Sequence, residues 1–200
     1  MIIIKDNFLE NVDKIRIDAL NRYSTENKIS AKNYPGIKIY VPENIKKNIE
    51  KKAQNILNEN VTCGEMCYQF VDKTYVKGIP HIDPGYKYTL MVYLNPTPLQ
   101  SGGTEIFEHY YDHCVKEVFY NSNIVLSIKE KFFSKTKRNF FDKLIYKMLV
   151  KKVILDQNYS TSVSNKYNRL LIFNSNMVHR AENYFGTGKN SRLSIVGFFK

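Results

Sequence analysis

Tryptophan is absent from this chain, cysteine occurs three times, and only 19 acidic residues face 30 basic ones. Long apolar runs are missing as well. Runs such as Met1–Ile4 and Leu170–Phe173 fall far short of the roughly 20 residues that a helix needs to cross a bilayer, so no membrane span is expected. The first apolar run is followed at once by Lys5, Asp6 and Asn7, which does not read as a signal peptide, and the expected placement is cytoplasmic. Three cysteines make an odd count, unlike the disulfide framework of a small secreted domain. Cys63 and Cys67 are spaced C-x3-C and Cys114 is remote, with no further ligands nearby to complete a zinc knuckle. All three are expected to be reduced thiols.

What remains is a globular composition. The chain has 200 residues, 43% of them hydrophobic and 14% aromatic, enough for one domain with a substantial core. Net charge is +11, and the excess is uneven. Between Lys129 and Lys152 stand Lys129, Lys131, Lys135, Lys137, Arg138, Lys143, Lys147, Lys151 and Lys152, against Glu130 and Asp142 only. Such a stretch attracts acidic partners or nucleic acid, or is simply a solvated face. The solvated face is the favoured reading, because no aromatic-interleaved platform for single strands stands out there.

The first sixty residues alternate short strands and helices. Ile2–Phe8 is strand-like, and Val12, Ile15 and Ala19 form a helical stripe within Asn11–Leu20. Tyr34-Pro35-Gly36 marks a turn before the strand-like Ile37–Val41. Pro42 opens a second helix with Ile45, Ile49, Ala53 and Ile56 on one face. This pair is expected to buttress something larger. From Cys67 onward the chain reads as strands: Cys67–Val71, Tyr86–Leu94, Thr104–Phe107, Arg169–Phe173 and Arg192–Phe199, punctuated by Pro84-Gly85, Asn95-Pro96, Gly102-Gly103 and Gly186-Thr187-Gly188. That pattern predicts a β-sandwich or barrel with helices in front. It lapses between Tyr110 and Asn168, where an amphipathic segment, Phe141–Ile154, predicts a helical insertion.

Chemistry concentrates at His81-Ile82-Asp83, His179 and Arg192-Leu193-Ser194. Two imidazoles and a carboxylate form the facial triad by which non-haem iron is held with coordination positions left open. In an extended segment, residues i and i+2 share a face, so His81 can project with Asp83, and Arg192 with Ser194. A guanidinium beside a hydroxyl suits a carboxylate. Alternation along Tyr86–Asn95 places Thr89, Met91 and Tyr93 on one face and Tyr88, Leu90, Val92 and Leu94 on the other. If the first set is interior, Tyr93 offers its phenol to a ligand deep in the barrel. A 2-oxo acid can take two open metal positions, leaving one for dioxygen. His109, Asp112 and His113 form a weaker candidate metal set with no suitable third ligand following, and Gly102-Gly103 is read as a tight turn.

The ordered set His81-Ile82-Asp83, Tyr93-Leu94-Asn95, Gly102-Gly103-Thr104-Glu105, His179 and Arg192-Leu193-Ser194 resembles the Fe(II)/2-oxoglutarate-dependent oxygenase superfamily in its prolyl-hydroxylase-like branch. The opening Ile2–Leu20 and the stretch from Asn168 to Gly186 extend the resemblance to most of the chain outside Tyr110–Ser164. It implies a mainly β, α+β fold: a double-stranded β-helix, or jelly roll, with N-terminal buttressing helices and a helical basic insertion. The expected organisation is a single domain over 1–200, with a buttress at 1–60, the jelly-roll core at 61–108 and 165–200, and an insertion at 109–164. It further implies Fe(II) on His81, Asp83 and His179, and 2-oxoglutarate with its distal carboxylate on Arg192, Tyr93 and Ser194. Dioxygen is the implied second co-substrate, and Tyr68 is expected to line the pocket. Animal collagen-type prolyl hydroxylases carry Lys at the position of Arg192, and nucleic-acid demethylases carry a second Arg where this chain has Phe198. Related halogenases lose the carboxylate ligand that Asp83 retains here, which favours hydroxylation. The expected substrate is a peptide, an amino acid or a small metabolite, with nucleic acid open but not favoured. Two alternatives stand beside this expectation, a non-catalytic metal-binding jelly roll acting as sensor or scaffold and a basic nucleic-acid-binding module, and the oligomeric state is left open.

Overall fold

The computed structural model describes residues 1–25, 35–75, 78, 80–107 and 160–200, together with positions 140, 141, 144 and 148. Among these, the chain runs β1 (Ile2–Lys5), α1 (Val12–Thr25), β2 (Ile37–Tyr40), α2 (Glu43–Leu57), β3 (Cys63–Val71), β4 (Tyr88–Tyr93), β5 (Thr104–Phe107), β6 (Ser160–Val163), β7 (Leu170–Asn174), β8 (Val178–Ala181) and β9 (Arg192–Phe199). The described residues are mostly β-sheet, with the helices α1 and α2. A six-stranded sheet has the order β1-β7-β4-β9-β3-β2, and a three-stranded sheet the order β6-β5-β8. Every strand pair among the described residues is antiparallel.

Both faces of the large sheet are buried, so its strands read as near-continuous apolar runs. One face carries Leu90, Val92, Leu170, Ile172, Leu193 and Ile195 and packs with Val12, Ile15 and Ala19 of α1 and Ile49 and Ala53 of α2. These are the helical stripes anticipated from the sequence. The other face carries Met91, Tyr93, Leu171, Phe173, Val196 and Phe198 and packs on Ile106 and Val163 of the small sheet. The two helices therefore lie behind the large sheet, while the small sheet closes its front. α2 ends on Asn58 in the left-handed conformation, a conformation common at helix C-termini. Asn168, also left-handed, brackets the backbone of Leu9, accepting from its N–H and donating to its carbonyl at 2.8 Å each.

Several element bounds differ from expectation. β3 begins at Cys63 rather than Cys67, with a register irregularity between Cys63 and Glu65 that interrupts the alternation. β6 and β8 were not expected. Ser160–Val163 is too polar to show an apolar period, and Val178–Ala181 is four residues long with His and Arg at its centre. Cys63 and Cys67 are buried free thiols, as expected, and desolvation pushes their pKa values up to about 11 and about 12. Most of the basic stretch, with His109, Asp112, His113 and Cys114, lies outside the described residues. Phe140, Phe141, Leu144 and Met148 are helical and exposed. No helix among the described residues is long and apolar enough to cross a membrane.

Candidate metal centre and anion pocket

His81, Asp83 and His179 come together in front of the large sheet, with one ligand atom of each within 4.8 Å of the others. The local geometry differs from the continuous strand expected for His81-Ile82-Asp83. His81 forms an isolated antiparallel bridge with His179 at the edge of β8, each N–H donating to the other's carbonyl at 2.9 Å. The Asp83 N–H then donates to the Ser175 carbonyl at 2.8 Å, so the chain leaves β8 while both side chains stay on one side. His179 Nε2 lies 3.3 Å from Asp83 Oδ2 and His81 Nε2 lies 3.7 Å from Asp83 Oδ1.

The surroundings fix these donors. His179 Nδ1 lies 3.0 Å from the Met177 carbonyl, which can only accept. Nδ1 therefore carries a proton, and Nε2 faces the centre of the trio, 3.3 Å from Asp83 Oδ2. Phe173 meets the His179 ring edge-on at 4.5 Å, and the two imidazoles lie 4.3 Å apart. Thr89 Oγ donates to Asp83 Oδ2 at 2.7 Å and lies 3.0 Å from Ser175 Oγ. Burial works to raise the Asp83 pKa, but the charge and hydrogen bond of His179, then His81 and Thr89, hold it well below the usual carboxylate range. An ionised carboxylate beside two imidazoles is the donor set that a divalent iron accepts once it takes the place of the Nε2 protons.

The second cluster lies farther along the same inner face, at the end of β4 and the start of β9. Arg192, 1% exposed, donates through Nε to the Gly102 carbonyl at 2.7 Å and through Nη2 to the Gly103 carbonyl at 3.4 Å. Its guanidinium sits between two rings, 5.5 Å from Tyr93 and 6.0 Å from Tyr184. No carboxylate among the described residues pairs with it. Ser194 Oγ is fully buried and has no hydrogen-bond partner among them. Tyr93 stands opposite Ser194 in register and donates to Thr104 Oγ at 2.8 Å. Desolvation raises the pKa values of Tyr93 and Tyr184, the latter to about 12, so both phenols stay protonated. A buried cation beside an orphaned hydroxyl and a neutral phenol is a fit for a carboxylate, which would satisfy both at once.

The structure thus brings together His81 with Asp83 and His179, and Arg192 with Tyr93 and Ser194. Tyr68 is a correction: it lies on the opposite face of the large sheet, bonding Asp18 of α1 at 3.0 Å, and lines no part of the pocket. Four contributors were missed. Thr89 and Ser175 brace Asp83, and Thr89 was legible as an inward residue of β4. Gly102 and Gly103 supply the carbonyls that hold Arg192, and they also allow close packing. A Cβ on Gly103 would lie 2.0 Å from the Val163 carbonyl oxygen, and one on Gly102 would lie 2.7 Å from the Phe185 ring. Backbone acceptors leave no side-chain signature, so no sequence pattern could have found them.

No protein-family model matches the sequence, and no curated protein sequence matches it. Solved structures do. A prolyl hydroxylase from Trichoplax adhaerens, in complex with a hypoxia inducible factor peptide fragment, superposes with a TM-score of 0.58 at 14% identity, over 99% of this chain and 82% of that one. The non-heme alpha ketoglutarate dependent carbocyclase SnoK of nogalamycin biosynthesis gives 0.62 at 11% identity, over 99% and 78%. HygX from Streptomyces hygroscopicus, with nickel, 2-oxoglutarate and hygromycin B bound, gives 0.59 at 10% identity, over 99% and 82%. At these identities the likeness is one of fold.

Proposed function

We propose that the chain is a non-haem Fe(II)- and 2-oxoglutarate-dependent dioxygenase of hydroxylase type. What supports the reading most is the pairing of two complementary sites on one concave face. The His81–Asp83–His179 donor set fits a divalent metal, and the Arg192–Tyr93–Ser194 pocket fits a carboxylate. Thr89 and Tyr93, one from each site, lie four residues apart on β4, a span of about 13 Å. The solved structures similar in fold include the epimerase SnoN in complex with Fe3+, alpha ketoglutarate and nogalamycin RO, and HygX with nickel and 2-oxoglutarate bound.

Each residue then has a task. His81, Asp83 and His179 hold the metal through three donors and leave its other positions open to co-substrates. Iron, when bound, supplies the oxidising chemistry by which dioxygen and 2-oxoglutarate become CO2, succinate and one oxygen inserted into a substrate C–H bond. Thr89 keeps Asp83 oriented as a ligand, and the Met177 carbonyl does the same for His179. Arg192 neutralises the distal carboxylate of 2-oxoglutarate, Ser194 donates a hydrogen bond to it, and Tyr93 does the same by turning its proton away from Thr104. Phe173, Met91 and Val196 line the space between and exclude water from it. The substrate class is a peptide, an amino acid or a small metabolite.

The test is conversion of 2-oxoglutarate to succinate and CO2 by the purified chain. The reading expects a reaction that requires Fe(II) and O2 and is lost in His179→Ala. Tight metal binding without succinate formation under any substrate mixture would replace the enzyme with a metal-binding sensor or scaffold.

A further inference from the structure

Past β8 the chain stays beside the site. His179 and His81 exchange backbone hydrogen bonds, the Gly78 N–H donates to the Ala181 carbonyl at 2.9 Å, and the Lys73 N–H donates to the Gly186 carbonyl at 3.0 Å. The order of these bonds is antiparallel, so the segment 179–186 is tied at both ends and in its middle to the described residues of 73–81. The approach at Gly78 depends on its missing side chain, since a Cβ there would lie 2.6 Å from the Ala181 nitrogen. The same segment is held to the anion pocket as well. The Glu182 N–H donates to the Gly103 carbonyl and the Arg192 N–H to the Phe185 carbonyl, each at 3.2 Å. One ribbon therefore joins the metal trio at His179 to the anion pocket at Arg192.

Tyr184 is placed by this ribbon. Three residues on from the Gly78–Ala181 bond in each direction, Tyr75 stands level with Tyr184, and their rings meet edge to face at 6.4 Å and 72°. The Tyr184 ring also lies 6.0 Å from the Arg192 guanidinium, at the outer limit of a cation–ring contact. Its hydroxyl makes no hydrogen bond among the described residues, so ring contacts fix the side chain. Arg192 and Tyr93 are 1% and 0% exposed, whereas Tyr184 is half-buried. Of these three it is the one that meets solvent. Its phenol, with a pKa pushed up to about 12 by desolvation, stays neutral and brings no charge to compete for Arg192.

We infer that Tyr184 is a positioning residue for the co-substrate, whose ring shields Arg192 from water and so makes the pocket selective for a 2-oxo acid that carries a second, distal carboxylate. The inference rests on the 2-oxoglutarate reading of the Arg192 pocket. Attraction between a guanidinium and a carboxylate grows as water is kept from the pair, and a ring beside the cation adds to it. A 2-oxo acid without the distal carboxylate gains nothing from this shielding. The preference between the two acids therefore reads the role of Tyr184, whereas a purely structural role would weaken both alike.

The experiment uses the full chain loaded with Zn(II) and two probes followed by ligand-observed NMR: 2-oxoglutarate, and 2-oxopentanoate, which has the same carbon chain and no distal carboxylate. The wild type should prefer 2-oxoglutarate. In Tyr184→Leu that preference should fall about 3- to 30-fold, the contribution of a partly desolvated cation–ring contact. Tyr184→Phe, which keeps the ring, should retain it. If Tyr184→Leu does not fold, Tyr184→Gln, polar where the side chain meets solvent, takes its place with the same expected loss. A preference that survives in the leucine or glutamine variant, or equal weakening of both acids, overturns the role of Tyr184 and leaves the co-substrate reading standing. A phenylalanine variant as impaired as the leucine one assigns the effect to the hydroxyl and overturns the shielding ring. A wild type that binds both acids alike removes the 2-oxoglutarate reading of the Arg192 pocket, and this inference with it.

Discussion

His81 and His179 are tied backbone to backbone, each donating its N–H to the other's carbonyl at 2.9 Å, while their rings lie 4.3 Å apart. The two imidazoles of the candidate metal centre are therefore positioned by a β-bridge rather than by side-chain contacts alone. Side chains from sequence positions nearly a hundred residues apart are preorganised to face one point.

Truncating His179 removes a donor but leaves that bridge in place. In His179→Ala, far-UV circular dichroism should be unchanged. The rise in melting temperature that Mn(II) gives the wild type should disappear, since only a ligand that binds the folded state stabilises it. A variant that still gains stability from Mn(II) as the wild type does would show that His179 is not a ligand.

Arg192→Lys keeps the charge and loses the fork. The guanidinium spends Nε and Nη2 on the Gly102 and Gly103 carbonyls and still offers donors to a carboxylate. An ammonium cannot do both. The affinity for 2-oxoglutarate should fall by roughly 10- to 150-fold, the equivalent of about 1.5–3 kcal/mol. Isothermal titration of the metal-loaded chain measures it, and an unchanged Kd would place the co-substrate elsewhere.

The residues whose chemistry is carried by side-chain type were legible in the sequence. His81, Asp83 and His179 were legible as a candidate metal set because two imidazoles and a carboxylate carry their chemistry in side-chain type, and Arg192 and Ser194 as a candidate site for an acid; the structure brings each set together. The stripes Val12–Ile15–Ala19 and Ile49–Ala53 placed both helices, since a 3.6-residue period survives any tertiary context. What was not legible had no such signature. β6 and β8 are too short and polar to show a period of two. Tyr68 stands next in sequence to Cys67, and one residue of register sends it to the helical face rather than the pocket.

The N-terminal segment is anchored by an ion pair whose pH dependence is set by the sign of its shift. Asp6 receives Arg169 Nε at 2.7 Å and Lys166 Nζ at 2.7 Å, and those hydrogen bonds hold its carboxyl well below the usual range. A depressed folded-state pKa contributes stability above the unfolded value of about 3.9, and that contribution is lost as pH falls through the folded pKa. Asp6→Asn should lower the melting temperature at pH 7. The gap between variant and wild type should then narrow steadily on acidification below about pH 4. A gap that is constant from pH 7 to pH 2.5 means the charge of Asp6 contributes nothing.

Thr89 would act on a bound metal without touching it. Its hydroxyl donates to Asp83 Oδ2 at 2.7 Å and meets Ser175 Oγ at 3.0 Å, so one short side chain on β4 orients the Asp83 carboxylate. Valine has nearly the same shape and lacks the hydroxyl. In Thr89→Val, Asp83 loses a hydrogen bond to its charged form and the freedom to rotate returns. Removing an outer-shell partner of this kind typically costs about 10- to 100-fold in metal affinity or activity. Two readouts separate this from general damage. Metal titration should shift by that factor, while the affinity of the metal-saturated chain for 2-oxoglutarate should stay near the wild-type value, because Arg192, Ser194 and Tyr93 are untouched. Thr89→Ser, which restores the hydroxyl, should recover most of the lost metal affinity. If valine and serine behave alike in the metal titration, the methyl group of Thr89 is what matters, and Asp83 is oriented by its backbone contact to Ser175 instead.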